Sequence, residues 1–224
     1  MKYPVFIFLT VLAFQKSICQ KTLNAYDDNG NRHGHWKVYF EGTEQLKFEG
    51  NFDHGQETGK FSFYKEGFPK HPSAILDFKK GNDTVVATYY SQKGDPISTG
   101  QLLNKKREGS WVYYHQASRD TMMTEEYKKD QLNGLQKTYF RNGQLTEKTM
   151  YRDGLKNGES FVYSEGGRLL QELYFKNGEL HGPATYYNAK GEKIIEGQYK
   201  EDLKSGTWYY FENGEVKEEK HYQP

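Results

Sequence analysis

The sequence predicts an all-β chain: a single-layer antiparallel β-meander of eight tandem β-hairpin repeats of about 24 residues. Three observations predict it. A glycine-led aromatic segment returns at a near-constant interval along the chain. Turn dipeptides such as Asn142-Gly143, Gly166-Gly167, Lys190-Gly191 and Asn213-Gly214 follow that segment, and Asn-Gly supplies the positive φ angles of tight hairpins. The composition joins a mean hydropathy of −0.98 to 16% aromatic residues. That pairing is too aromatic for disorder and too poor in aliphatic residues for a thick core.

The first element is an address. Met1 to Pro4 is a short basic start, Val5 to Phe14 is an apolar run, and Ser17-Ile18-Cys19 leads to a cleavage before Gln20. This is the layout of a secretory signal peptide over residues 1–19, and the apolar run is too short for a spanning helix of ~20 residues. Cys19, the sole cysteine, leaves a second processing open, in which it becomes the acylated residue of a lipoprotein. Loss of residues 1–19 takes Lys2 and Lys16 and moves the net charge from +1 to −1. A mature chain without disulfides fits a bacterial envelope: periplasm, cell surface or the exterior.

Residues 20–33 form an N-terminal half-repeat. The eight repeats of 34–224 then start at Gly34, Gly59, Val85, Gly109, Gly134, Gly158, Gly182 and Gly206. In each, a first strand carries G-x-W-x-Y-Y or its variants and a turn follows. A second strand then returns from an apolar residue (Leu145, Leu169, Ile194, Val216) to an aromatic one (Tyr151, Phe175, Tyr199, Tyr222). Two strands and two turns use up the period, so sequential strands must be antiparallel neighbours. About sixteen strands at ~4.8 Å each would extend on the order of 75 Å.

These features, with the Y-x-x-G-x-x-x-G link of Tyr151, Gly154 and Gly158, resemble MORN-type repeats. The likeness is to the variant common in bacterial proteins, some of which carry the label YwqK-like antitoxin. It covers about residues 23–222. The resemblance implies the hairpin fold and a scaffolding or recognition role, and allows an antitoxin-like one. The chain departs from the pattern at Val85 (start glycine), at Ser118 (turn glycine) and at Lys105, Asp130 and Asp202 (link glycine).

Comparing the copies separates two rows. Five residues after each start stands an aromatic without exception: Tyr39, Tyr64, Tyr90, Tyr114, Tyr139, Tyr163, Tyr187 and Phe211. An unbroken row reads as structural, each ring lying over a neighbouring glycine. Two residues after the start the sequence varies: Trp36, Phe61, Ala87, Trp111, Gln136, Ser160, Ala184 and Trp208. By parity this row points to the opposite face. Two readings stay open for Trp36, Phe61, Trp111 and Trp208: rings that cap the sheet locally, or an exposed track that binds a ligand.

The charge balance, 31 basic against 30 acidic residues, argues against nucleic-acid binding. No thiol, phosphate cradle or catalytic grouping stands out, so no enzyme activity and no cofactor are expected. His33 and His35 straddle Gly34 with Asp27 and Asp28 upstream. Zinc usually asks for four ligands at stricter spacing, so no metal site is expected and these read as solvated turn residues. The expectation is an exported scaffold whose long aromatic β-surface binds a partner protein. A glycan or cell-wall module is the alternative; membrane contact enters through a lipidated Cys19 or as a surface adaptor.

Overall fold

The structure, a computed structural model, describes residues 22–79 and 81–223. The expected signal peptide, residues 1–19, lies outside the described residues. Among the described residues there are eighteen strands in one antiparallel sheet. The first nine are β1 (Ala25–Tyr26), β2 (Arg32–Tyr39), β3 (Leu46–Asp53), β4 (Gln56–Phe63), β5 (Ala74–Phe78), β6 (Thr84–Tyr90), β7 (Pro96–Leu103), β8 (Lys106–Tyr114) and β9 (Thr121–Lys128). The others are β10 (Gln131–Leu132), β11 (Gly134–Tyr139), β12 (Leu145–Arg152), β13 (Leu155–Tyr163), β14 (Leu169–Lys176), β15 (Glu179–Tyr187), β16 (Lys193–Lys200), β17 (Leu203–Glu212) and β18 (Glu215–Tyr222).

Strands pair with their sequence neighbours, so the sheet is an open meander. Both β10 and β11 pair with β9, which makes them one strand interrupted at Asn133. With that strand counted once, the sixteen expected strands run from β2 to β18, and β1 is added in front.

Six connections between units are two-residue turns in which both residues have positive φ: His54-Gly55, Asn104-Lys105, Lys129-Asp130, Asp153-Gly154, Asn177-Gly178 and Glu201-Asp202. This is the type I′ geometry whose twist matches the flanking strands. Lys105, Asp130 and Asp202 hold it without glycine, at φ of 65°, 72° and 64°. Two of them gain a compensating bond one unit upstream. Asp130 Oδ1 accepts the Arg107 N–H at 2.9 Å and Asp202 Oδ1 accepts the Leu180 N–H at 2.7 Å. The turns also stack: the N–H groups of Gly55, Gly154 and Gly178 donate to the carbonyls of Arg32, Leu132 and Lys156.

The start glycines explain the pairing between units. Thr99 pairs with Val112 but Gln101 with Glu108, so Gly100 faces three residues, 109–111. The same slip recurs opposite Gly59, Gly158, Gly182 and Gly206. These glycines have φ between 66° and 113°, a region that β-branched side chains avoid. Where Val85 replaces the glycine, β5 and β6 pair in unbroken register from Ala74↔Tyr89 to Phe78↔Val85. The connection from Phe78 to Thr84 is also longer than the two-residue turns elsewhere, so the residues that form a bulge in the other units lie in the loop here.

Gly109, at φ 66°, should therefore not tolerate valine. Gly109→Val is expected to cost about 2 kcal/mol in urea denaturation. Val85→Gly, where no positive φ is needed, should stay within about 1 kcal/mol of the parent.

Candidate functional surface

The two aromatic rows occupy the opposite faces that parity requires, and of the two readings open for the variable row its burial fits rings that cover the sheet locally. Trp36, Phe61, Trp111 and Trp208 are only 5%, 1%, 2% and 1% exposed. They do not form an exposed track. Each of the last three lies on a glycine of the strand before it: a Cβ placed on Gly50, Gly100 or Gly197 would stand 2.3–2.4 Å from ring carbons of Phe61, Trp111 or Trp208. The glycine-covering role expected of the tyrosine row belongs to these rings. The indoles also satisfy carbonyls freed by the register slips, with Trp111 Nε1 donating to Gln101 O and Trp208 Nε1 to Gln198 O, both at 3.1 Å. Ring edges close over them: Tyr199 meets Trp208 at 4.9 Å and Phe52 meets Phe61 at 5.1 Å, both T-shaped.

The interruptions in this row have a partner. Every member from the second repeat onward sits against the residue eleven positions before it, on the preceding strand. Large rings pair with glycine: Gly50/Phe61, Gly100/Trp111 and Gly197/Trp208. Alanine pairs with leucine: Leu76↔Ala87 and Leu173↔Ala184. Polar pairs with polar: Gln136 Nε2 donates to Glu125 Oε1 at 2.7 Å, and the Thr149 and Ser160 hydroxyls bond at 2.7 Å. Polarity is matched within each pair and the largest rings stand against glycine, as a close-packed layer with satisfied polar groups requires.

The middle of the chain carries the polar version of this core. Glu125, Thr149 and Ser160 are buried. The Tyr127 hydroxyl donates to Glu125, Arg107 donates to the Tyr127 hydroxyl at 2.6 Å, and the Arg107 guanidinium lies 3.9 Å from the Tyr127 ring centre. Arg107 Nε reaches Asp130 Oδ1 at 3.0 Å. Burial pushes the Tyr127 and Tyr113 phenols up from their ordinary range, and the Glu125 carboxylate raises them further. Every partner in this network is satisfied within the sheet.

The unbroken row is the more open one. Tyr39 is 46% exposed, and Tyr64, Tyr90, Tyr114, Tyr139, Tyr163, Tyr187 and Phe211 are half-buried. Charged and hydroxyl side chains flank the rings on this face. Lys37 pairs with Glu49 at 3.5 Å beside Tyr64, and Lys193 lies 5.3 Å from the Phe211 ring centre. Open depressions recur along it, each lined by a row ring. Tyr90 and Tyr114 line one with Thr88, Thr99 and Arg119. Tyr139 lines a second with Thr124 and Arg141, and Phe211 a third with Lys193 and Glu192. Successive rings stand two strands apart, ~9.6 Å.

A separate cluster closes the N-terminal edge. Asn24 acts as a strand substitute for β2: its Oδ1 accepts the Lys37 N–H at 2.7 Å and its Nδ2 donates to Lys37 O at 2.9 Å. Asp27 folds over its own turn, accepting the N–H groups of Asn29 and Asn31, and bonds His54 Nδ1 at 2.6 Å. That bond is the main reason its carboxyl is held low, at about 2. His33 and His54 bring their rings to 4.8 Å. Sequence spacing pairs His33 with His35 instead; His35 sits two residues along β2, where its Nδ1 meets Asn51 Oδ1 at 3.3 Å.

No protein-family model matches the chain, and no curated protein matches it.

Proposed function

We propose that this chain is an exported, non-enzymatic scaffold that binds a partner protein across the face bearing Tyr39 to Phe211. The observation that carries the reading is the unbroken row of part-exposed aromatics, one per hairpin, on a sheet whose other aromatic row is interior. Tyrosine suits that role because it offers a large amphipathic contact area with little rotamer entropy to lose. The likeness to bacterial MORN-type repeats supports a recognition platform and leaves an antitoxin-like role for this chain within the same reading. The basic–apolar–small layout of residues 1–19 supports export. The ring-lined depressions favour one second reading, a glycan whose sugar rings stack on the same tyrosines.

The test is affinity capture from the host's envelope extract with the wild-type chain beside a Tyr90→Ser/Tyr114→Ser/Tyr139→Ser variant. A Leu203→Ser variant, altered at an exposed position beside a link turn, serves as the control. A specific protein held by wild type and control, and bound on the order of 30-fold or more weaker by the triple variant, is expected. Equal capture by all three would overturn the assignment of the face. Glycan capture with the same mutational pattern would replace the protein partner by the second reading.

A further inference from the structure

The link edge of the first hairpin gathers three residues of metal-ligating type. His33 is the second residue of β2, Asp53 ends β3, and His54 starts the type I′ turn into β4, at φ 49°. One ring nitrogen from each histidine and one Asp53 carboxylate oxygen lie within 4.8 Å of one another. His33 Nδ1 is 4.0 Å and His54 Nε2 is 3.9 Å from the same atom, Asp53 Oδ1. We propose that His33, His54 and Asp53 bind one divalent transition-metal ion of the Zn²⁺ class, with Asp27 as the residue that orients His54.

The donor set is of the right kind. Two imidazoles and one carboxylate suit Zn²⁺, Ni²⁺ or Cu²⁺ and leave a fourth position for water. Metal–ligand bonds near ~2.1 Å place tetrahedral ligand atoms ~3.4 Å apart. The present separations of 3.9 and 4.0 Å close to that value by small rotations of side chains that stand at the surface. The His54 backbone N–H lies 3.5 Å from His33 Nδ1, a long contact that such a rotation gives up.

What distinguishes this cluster from neighbouring surface residues is the arrangement behind it. His54 commits Nδ1 to the Asp27 carboxylate at 2.6 Å, which turns Nε2 toward Asp53. A carboxylate behind a ligating histidine fixes its tautomer and raises its basicity. Asp27 is itself held by the backbone N–H groups of Asn29 and Asn31. The bound ion would therefore tie the N-terminal cap, β2 and the first link turn together. Arg32, the nearest guanidinium in sequence, is directed onto the Trp36 and Phe52 rings at 4.8 and 5.2 Å.

Calorimetric titration of the untagged chain with Zn²⁺, repeated with Co²⁺ for its ligand-field absorption, tests the proposal. One ion per chain is expected, with Zn²⁺ raising the unfolding temperature of the wild type. His33→Gln and His54→Asn, the latter chosen because asparagine accepts a left-handed turn, should each weaken binding at least ~10-fold. Asp27→Asn should weaken it ~10–100-fold, and His35→Ala should bind as wild type. Circular dichroism of each variant separates loss of ligand from loss of fold. Absence of saturable binding up to millimolar Zn²⁺ would overturn the site, as would wild-type affinity in both folded His33 and His54 variants.

Discussion

Gly100→Leu should destabilise the sheet severely, and Trp111→Ala placed in the same chain should restore much of the loss. A Cβ on Gly100 would sit 2.3 Å from the Trp111 ring, so the leucine alone must expel an indole that is 2% exposed. Trp111→Ala alone leaves a cavity and is expected to cost about 3–5 kcal/mol. The double variant rebuilds the leucine–alanine pair already present at Leu76↔Ala87 and Leu173↔Ala184. Its loss should fall short of the sum of the singles by about 2–3 kcal/mol, the coupling expected of side chains in contact. Urea denaturation of the four proteins measures it. A broadened transition in the single variants is also expected, because each unit touches only its neighbours and a weak central unit uncouples the two halves. Additive losses would mean the two positions do not share one site.

Glu125→Ala should cost about 2–4 kcal/mol although it removes a charge from a thin sheet. The carboxylate is buried and is the acceptor for both Gln136 Nε2 and the Tyr127 hydroxyl. Its removal strands those donors, and a buried donor without an acceptor carries the full desolvation penalty. The Tyr127 hydroxyl still accepts from Arg107 at 2.6 Å, so the loss falls mainly on Gln136 and on Tyr127's own proton. Glu125→Leu/Gln136→Ala, a second copy of the leucine–alanine pair, should recover the share of the loss that falls on Gln136, since that donor is removed with its acceptor, while the Tyr127 hydroxyl still lacks its own. Thermal unfolding of the single and double variants decides it. A double variant no better than Glu125→Ala would show that the network beyond Gln136, through Arg107 and Asp130, is what the carboxylate supports.

The hairpin meander was legible in the sequence because its signals are local. Glycine pairs, Asn-Gly turns and a regular aromatic beat specify strand–turn–strand without knowledge of the register. The role of each face was not legible from the same signals. Alternation places Trp111 and Tyr114 on opposite faces, but says nothing about which face is interior. Constancy suggested that the tyrosine row was the packing row, and variation suggested that the tryptophan row was not. Variation is instead the mark of a core built from compensating pairs. The signal lay in the sequence at a spacing of eleven, from Gly50 and Phe61 to Gly197 and Trp208. Reading it requires the two-residue slip at each start glycine, a feature of tertiary pairing that no single strand displays. The His33–His54 contact was hidden for a similar reason: a turn 21 residues downstream folds back beside the start of β2.

Tryptophan fluorescence separates an interior tryptophan row from an exposed one. All three indoles of the chain are in the variable row. The folded protein should show blue-shifted emission that iodide quenches far less than it quenches the urea-unfolded chain. Emission like that of free indole in water, quenched equally before and after unfolding, would return the tryptophan row to the surface.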